Sequence, residues 1–193
     1  MPVKNVTEGR EGRGADAELI ARIRERDVHA FEQLYRKYFG RLSRFLLNLI
    51  HRPQLVEEVL NDTMMVVWNK PDAFAGSSKL STWIFGIAYR KAMKALRRWD
   101  QPVEDPDLDL RVSEEPAPDQ QAGLEQIQAR LATAINGLSA DHRAVVDLTY
   151  FQGFAYAEIA DIVGCPVDTV KTRMFHARRH LKRMLAGELS DWI

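Results

Sequence analysis

The residues best suited to chemistry lie near the end of the chain, in Ala155-Tyr156-Ala157-Glu158-Ile159-Ala160-Asp161-Ile162-Val163-Gly164-Cys165-Pro166-Val167-Asp168-Thr169-Val170-Lys171. A short helix with Ile159, Ala160 and Val163 inward would end at Gly164, the residue type that tolerates a left-handed cap. Pro166 would then open a second helix, where its missing N–H costs nothing. Helix, glycine turn and helix in this compass is the arrangement that lays a second helix in the DNA major groove. Helical spacing puts Val167, Val170, Met174, Ala177 and Leu181 on one face. Asp168, Thr172, Phe175 and Arg179 lie opposite, with Lys171, Arg173 and Arg178 on the flanks. Arg and Lys bond phosphates or guanine edges, and Thr and an outward Phe meet a thymine methyl. A solvated helical hairpin is the plainer explanation. Against it stand the glycine turn, the outward Phe, and six bases with no acid from Lys171 to Gly187.

Other reactive residue types point nowhere comparable. His176 and His180 stand four apart, but no Glu lies between them in a zincin pattern and no third ligand is evident, so no metal site is expected. The lone Cys165 permits no internal disulfide and no multi-cysteine zinc site, and is expected to fill space at the turn. There is no glycine-rich phosphate loop, nucleophile elbow or convergent carboxylate pair, so no cofactor, no small-molecule substrate and no enzymatic step are expected. A second cationic group is Arg90, Lys91, Lys94, Arg97 and Arg98, five bases in nine residues. Helix-dipole compensation accounts for part of it, but capping alone needs fewer.

The elements that must carry these residues are helices. In 193 residues, 46% of them hydrophobic, Gly and Pro are sparse outside one stretch, and strict alternation is absent. The first half reads as four helices: about Asp16 to Arg26; one after Asp27 with Phe31, Leu34, Tyr38, Leu42, Phe45 and Leu49 in step; one from Pro53 that stops before Pro71; and one from about Ser81 to Arg98 that turns Trp83, Ile84, Ile87, Ala88 and Ala95 inward. The second half reads as helices over about Leu124–Asn136, Asp141–Tyr150, Tyr156–Val163 and Val167–Leu185, with Ser139 and Asp141 as start signals. Between the halves, Val103 to Gln120 holds three prolines and many acids. Residues 16–99 carry a net charge of +6, and residues 100–128 a net of −8. Two basic blocks flanking an acidic connector suggest a polyanionic partner.

The expected fold is all-α: two small helical domains, 16–99 and 124–186, joined by a flexible acidic linker, 100–123, with the helix-turn-helix in the second domain. Residues 1–15 and 187–193 are expected as tails. Met1 to Gly14 lacks the apolar stretch of a secretory signal, and no apolar run approaches the roughly 18 residues of a membrane span, so a cytoplasmic protein without a membrane partner is expected.

Val56-Glu57-Glu58-Val59-Leu60-Asn61-Asp62-Thr63-Met64-Met65-Val66-Val67-Trp68, followed by Phe74-Ala75-Gly76-Ser77-Ser78-Lys79-Leu80-Ser81-Thr82-Trp83-Ile84-Phe85-Gly86-Ile87-Ala88, resembles the second conserved region of extracytoplasmic-function sigma factors. Leu138 to Leu185 resembles their fourth. The resemblance spans most of residues 16–186 and implies a non-enzymatic protein that binds bacterial core RNA polymerase and directs it to promoters in a stress or envelope response, with an anti-sigma factor as a further partner. It implies that Glu57, Glu58, Asn61, Asp62, Met65 and Trp68 dock on the coiled coil of the largest polymerase subunit. Phe74, Gly76, Ser77, Ser78 and Lys79 would capture a flipped base of the −10 element, with Arg90, Lys91, Lys94, Arg97 and Arg98 holding its backbone. Asp168, Thr169, Lys171, Thr172, Arg173, Phe175, His176, Arg178 and Arg179 would read the −35 duplex. Leu80 stands where the family usually has Phe, and Arg90 and Lys94 where Asn and Asp are common, so the family's −10 preference is not carried over. The main rival is a helix-turn-helix regulator that is not a sigma factor. If it were of the response-regulator type, residues 16–99 would need alternating strands and helices, which they do not show.

Overall fold

A computed structural model describes residues 6–99 and 130–185, with side chains described from Gly14 onward. Expectations for the linker, for 124–129 and for the C-terminal tail lie outside the described residues. Within them the chain is all helical: α1 (Val6–Arg24), α2 (Val28–Ile50), α3 (Pro53–Asn69), a 3-10 turn at Pro71–Ala73, α4 (Leu80–Trp99), α5 (130–136), α6 (Ala140–Tyr150), α7 (Tyr156–Val163) and α8 (Val167–Leu185).

The punctuation follows the sequence. Asp27 caps α2, its carboxylate accepting from the His29 and Ala30 amides at 2.9 and 3.2 Å. The Arg22 guanidinium bonds the same carboxylate at 2.7 Å and, with the two amides, holds it below its usual pKa. Pro53 opens α3, and Gly164 ends α7 at φ 69°. One boundary differs. α1 begins at Val6, not Asp16, so part of the expected tail, through Gly9, Gly12 and Gly14, is helical. Once the anchored end of a helix has formed, each further residue adds a hydrogen bond without a new nucleation cost, and glycines weaken that extension without forbidding it.

α2 is the central rod. Ala30, Leu34, Tyr38, Leu42, Phe45, Leu46, Leu49 and Ile50 are all buried along it, against α1, α3, α4 and also α6. The C-terminal end of α1 fastens the turn after α3: Arg24 donates to the Phe74 carbonyl at 2.9 Å and pairs with Asp72, and Arg26 donates to the Trp68 carbonyl at 2.8 Å.

The two halves do not stand apart. α7 lies along α4, and α6 against α2. Phe154 packs edge-on to Phe85 at 5.1 Å, the Arg41 guanidinium covers both rings, and Phe85 reaches Phe45 at 5.4 Å. Gly86 lies beneath α7 at this joint: a Cβ there would stand 3.7 Å from the Ile162 Cα, an ordinary contact. The sequence pattern implies two helical domains and a linker and leaves their relative placement open; here they are in contact. α7 is apolar on two sides, one for α8 and one for α4, and burying the second face brings the halves together.

Candidate polymerase and nucleic-acid interfaces

Three surfaces carry the candidate residues. On α3, Glu57, Glu58, Asn61, Asp62 and Met65 are exposed, because Val56, Val59, Leu60, Thr63, Met64 and Val67 take the buried face. Glu57 and Asn61 border a groove of about 270 Å³ floored by Tyr35, Phe39, Leu47 and Leu60. Asp62 is bonded by Lys91 at 2.8 Å. Trp68 is half-buried against Phe31 at 5.1 Å, with the Arg26 guanidinium over its ring, so its main contacts are structural.

The segment before α4 forms a concave pocket of about 360 Å³ lined by Phe74, Gly76, Ser77, Ser78 and Lys79 on one side and by Ala157, Glu158 and Asp161 of α7 on the other. Gly76 adopts φ 77°, a left-handed turn that a side chain would strain, and this opens the loop. Phe74 is largely buried, its ring 5.5 Å from Trp83 and its carbonyl held by Arg24, so it lines the pocket from below. Arg90, Lys94, Arg97 and Arg98 are exposed along α4. Lys79 is paired with Glu158 at 2.8 Å, and Lys91 with Asp62. Both cations meet internal carboxylates in this arrangement.

α8 sorts as its periodicity predicts. Val170, Met174 and Ala177 are buried, Val167 and Leu181 half-buried, and Asp168, Thr172, Phe175 and Arg179 exposed, Phe175 by 62%. Lys171 pairs with Asp168 at 2.9 Å, and Arg178 donates to the Tyr150 hydroxyl at 3.0 Å. Thr169 is half-buried. Arg173, on the flank, is half-buried and bonded to Asp141 at 3.0 Å. The pair is non-local, which spacing along α8 does not reveal.

His176 lies beside Phe175 and perpendicular to His142 at 6.3 Å, and both face a shallow pocket with His180. His142, which periodicity did not single out, bonds Ser139 at 2.6 Å. Burial, and then the neighbouring His176, lower its pKa. No group of three or more His, Cys, Asp or Glu side chains among the described residues is placed to hold a metal ion. No described helix is long and apolar enough to cross a membrane.

The residues that sequence reasoning missed are those at the junction of the halves. Asp147 is 3% exposed; Asn48 of α2 donates to it at 2.6 Å and Gln152 at 3.2 Å. Burial raises its pKa, while those two bonds and the Arg44 charge act against the rise. Tyr89 of α4 donates to Asp141 of α6 at 2.6 Å. Arg143 reaches the Leu49 carbonyl at 3.2 Å and the Asn136 carbonyl at 3.1 Å. The one available signal was Asp147 inside the apolar run Ala144-Val145-Val146-Asp147-Leu148.

Two family models match this chain: Sigma-70 region 2 over residues 34–101, and Sigma-70 region 4 over residues 128–181. The chain is 31% identical over 170 residues to the ECF RNA polymerase sigma factor RpoE of Cereibacter sphaeroides, covering 87% of this chain and 93% of that protein. It is 28% identical over 186 residues to the RNA polymerase sigma-H factor of Pseudomonas aeruginosa, covering 91% and 96%. Among solved structures, it resembles RpoE from Bartonella quintana in complex with the anti-sigma factor NepR, with 30% identity and a TM-score of 0.66 over 83% of this chain and 99% of that one. It also resembles CnrH in complex with the cytosolic domain of CnrY, with 25% identity and a TM-score of 0.67 over 90% and 99%.

Proposed function

The chain belongs to the extracytoplasmic-function family of RNA polymerase sigma factors, which direct promoter-specific transcription, and from that premise we propose how its surfaces divide the work. The exposed acids of α3, Glu57, Glu58, Asn61 and Asp62, with Met65, dock on core RNA polymerase, and Trp68 supports them from below. The loop Gly76 to Lys79 takes an unstacked base of the −10 strand, and Arg90, Lys91, Lys94, Arg97 and Arg98 hold its backbone. Phe74 has a structural share in that loop. The outer face of α8, Asp168, Thr169, Lys171, Thr172, Arg173, Phe175, His176, Arg178 and Arg179, reads the −35 duplex in the major groove. The protein catalyses no step itself and works in the cytoplasm, where the polymerase is. RpoE from Bartonella quintana is solved bound to the anti-sigma factor NepR, and an anti-sigma partner in a stress or envelope response is the corresponding reading here.

The observation that carries this proposal is the outer face of α8: after Asp168 it holds no acid, it exposes an aromatic ring, and it is set at a left-handed glycine elbow on the chain that also bears the α3–α4 face. One such module makes few phosphate contacts and binds weakly alone; held with the first by the polymerase, it gains effective concentration. Run-off transcription tests the reading. Added to core polymerase, the chain should give defined start sites. Arg179→Ala should weaken −35 duplex binding by about 1–3 kcal/mol and cut output to match. Lys171→Ala should lower the salt slope of binding by about one unit. Defined starts that both variants leave unchanged would remove α8 as the reading helix.

A further inference from the structure

The bases assigned to the −35 duplex differ in what holds them. Lys171 pairs with Asp168, and Arg173 with Asp141, so both meet a carboxylate. Arg178 has a neutral partner instead. Its Nε donates to the Tyr150 hydroxyl at 3.0 Å, and its guanidinium carbon lies 5.8 Å from the centre of the same ring. Tyr150 is the last residue of α6 and is 57% exposed, and Arg178 is exposed too, so core packing does not account for the contact. Along α8, Arg178 stands two turns beyond Lys171 on the same flank, about 10 Å away by helical rise. A reading helix meets base edges near its N-terminus, and a base three turns in is placed for the backbone. With Nε taken by the hydroxyl, both Nη groups are left to bond a phosphate end-on.

We propose that Tyr150 is a positioning residue for −35 binding: its hydroxyl and ring hold the Arg178 guanidinium in place before a backbone phosphate arrives. The proposal rests on the assignment of α8 to the −35 duplex and deepens it. An arginine on an open helix face samples many rotamers, and binding has to fix them. Here the side chain is ordered on folding, so less of its freedom is lost when DNA arrives. The holding group is uncharged, so the phosphate displaces no carboxylate to reach Arg178. A phosphate carries no sequence information, so Tyr150 strengthens binding to any duplex and leaves base discrimination to the rest of α8.

The test uses the full chain bound to core polymerase, and a duplex that carries the −35 element of a start site mapped by run-off transcription and stops short of −10. Tyr150→Phe removes one hydroxyl and no charge, and should weaken binding about threefold. Its slope of log affinity against log salt should match the parent's, whereas Arg178→Ala should lower that slope by about one unit. In the Arg178→Ala background, Tyr150→Phe should have no further effect. In the Arg179→Ala background its effect should add in full, because Tyr150 does not hold Arg179. The penalty for a mismatched −35 base pair should be the same in Tyr150→Phe and parent. Parent-like binding by Tyr150→Phe overturns the inference. So does a loss that persists without Arg178, because the hydroxyl would then act on DNA or on the fold directly. Parent-like binding by Lys171→Ala, Arg178→Ala and Arg179→Ala alike would instead sink the assignment of α8 on which the inference rests.

Discussion

The two halves differ in how they build a core. Among the described residues, ten of the twelve largest fully buried side chains belong to α1–α4, among them Tyr38, Phe45, Phe85, Met64 and Ile84, and two, Leu148 and Ile159, belong to α5–α8. The first half wraps three helices around α2 and closes on itself. The described part of the second half, residues 130–185, is in the size range where a lone domain buries only about 60% of its unfolded surface and is marginal. Its remedy is to lean on the first half: Phe154 goes under Arg41 and onto Phe85, Ile162 onto Gly86, and Asp147 onto Asn48. A helix-turn-helix that borrows its core from its neighbour can be released from it, at a cost in its own stability.

The largest expected effect comes from Phe85→Ala. The ring is fully buried and serves both cores, so its loss should cost about 3–5 kcal/mol in denaturant unfolding. Amide exchange should rise in both halves, at Leu46 and Ile84 and also at Ile159 and Met174. Faster exchange confined to α1–α4 would break the comparison, by showing that the second half needs no support.

Asn48→Ala comes next, at about 1–3 kcal/mol, because it leaves the buried Asp147 carboxylate with one fewer donor. The loss should fall on α6–α8 and leave the core between α2 and α3 protected. Asp147→Asn should reduce the coupling to Asn48 in a double-mutant cycle, and the residual coupling measures how much the charge adds.

These junction residues mark the limit of what the amino-acid pattern could say. Helix positions were legible because each start and stop has a local cause: the Asp27 carboxylate, the Pro53 ring, the left-handed backbone of Gly164. α7 and α8 have the bounds their periodicity implies, and the outward set Asp168, Thr172, Phe175 and Arg179 is outward. The contact between the halves was not legible, since a helix face that packs within its domain and one that packs on a neighbour use the same apolar residue types. Ile162, which the inward set left out, belongs to that second face. The burial of Phe74 was not legible either, because an aromatic residue in a loop suits both a base platform and a core plug. The ion pairs of Lys79 and Arg173 were not legible because their partners, Glu158 and Asp141, lie 79 and 32 residues away.

Gly86→Ala should have a smaller effect of opposite sign. A new Cβ meets the Arg90 guanidinium at 3.2 Å, the flexible end of an exposed side chain, and the Ile162 Cα at 3.7 Å, an ordinary contact. Arg90 swings aside, and the mid-helix gain of alanine over glycine, up to about 1 kcal/mol, should appear as a higher Tm. Gly86→Leu should lose stability instead, because its larger side chain has to displace α7. A fall in Tm for alanine would mean that the joint is tighter than a 3.7 Å contact implies.

The smallest effect separates the halves by pH. Burial lowers the pKa of His142 in α6 below the usual 6.5, helped by His176, Arg173 and His180 and opposed by Asp141; His51, at the end of α2 beside Arg143, is lowered in the same sense. For a base whose folded pKa is depressed, the unfolded chain binds more protons between the two values, so stability is full above 6.5 and lost as pH falls from 6.5 through the lower folded value. Asp147, raised by burial, acts with the opposite slope, favouring the folded chain as pH falls toward 3.8. Between pH 7 and 5.5 the histidines should therefore dominate, by less than about 1 kcal/mol for a half-exposed ring. The loss should show first in amide exchange of α6 and α8, because His142 of α6 packs against α8 through His176. His142→Gln, neutral throughout, should flatten that slope in the second half and leave the first half unchanged; an equal slope in the variant would shift the cause to His51.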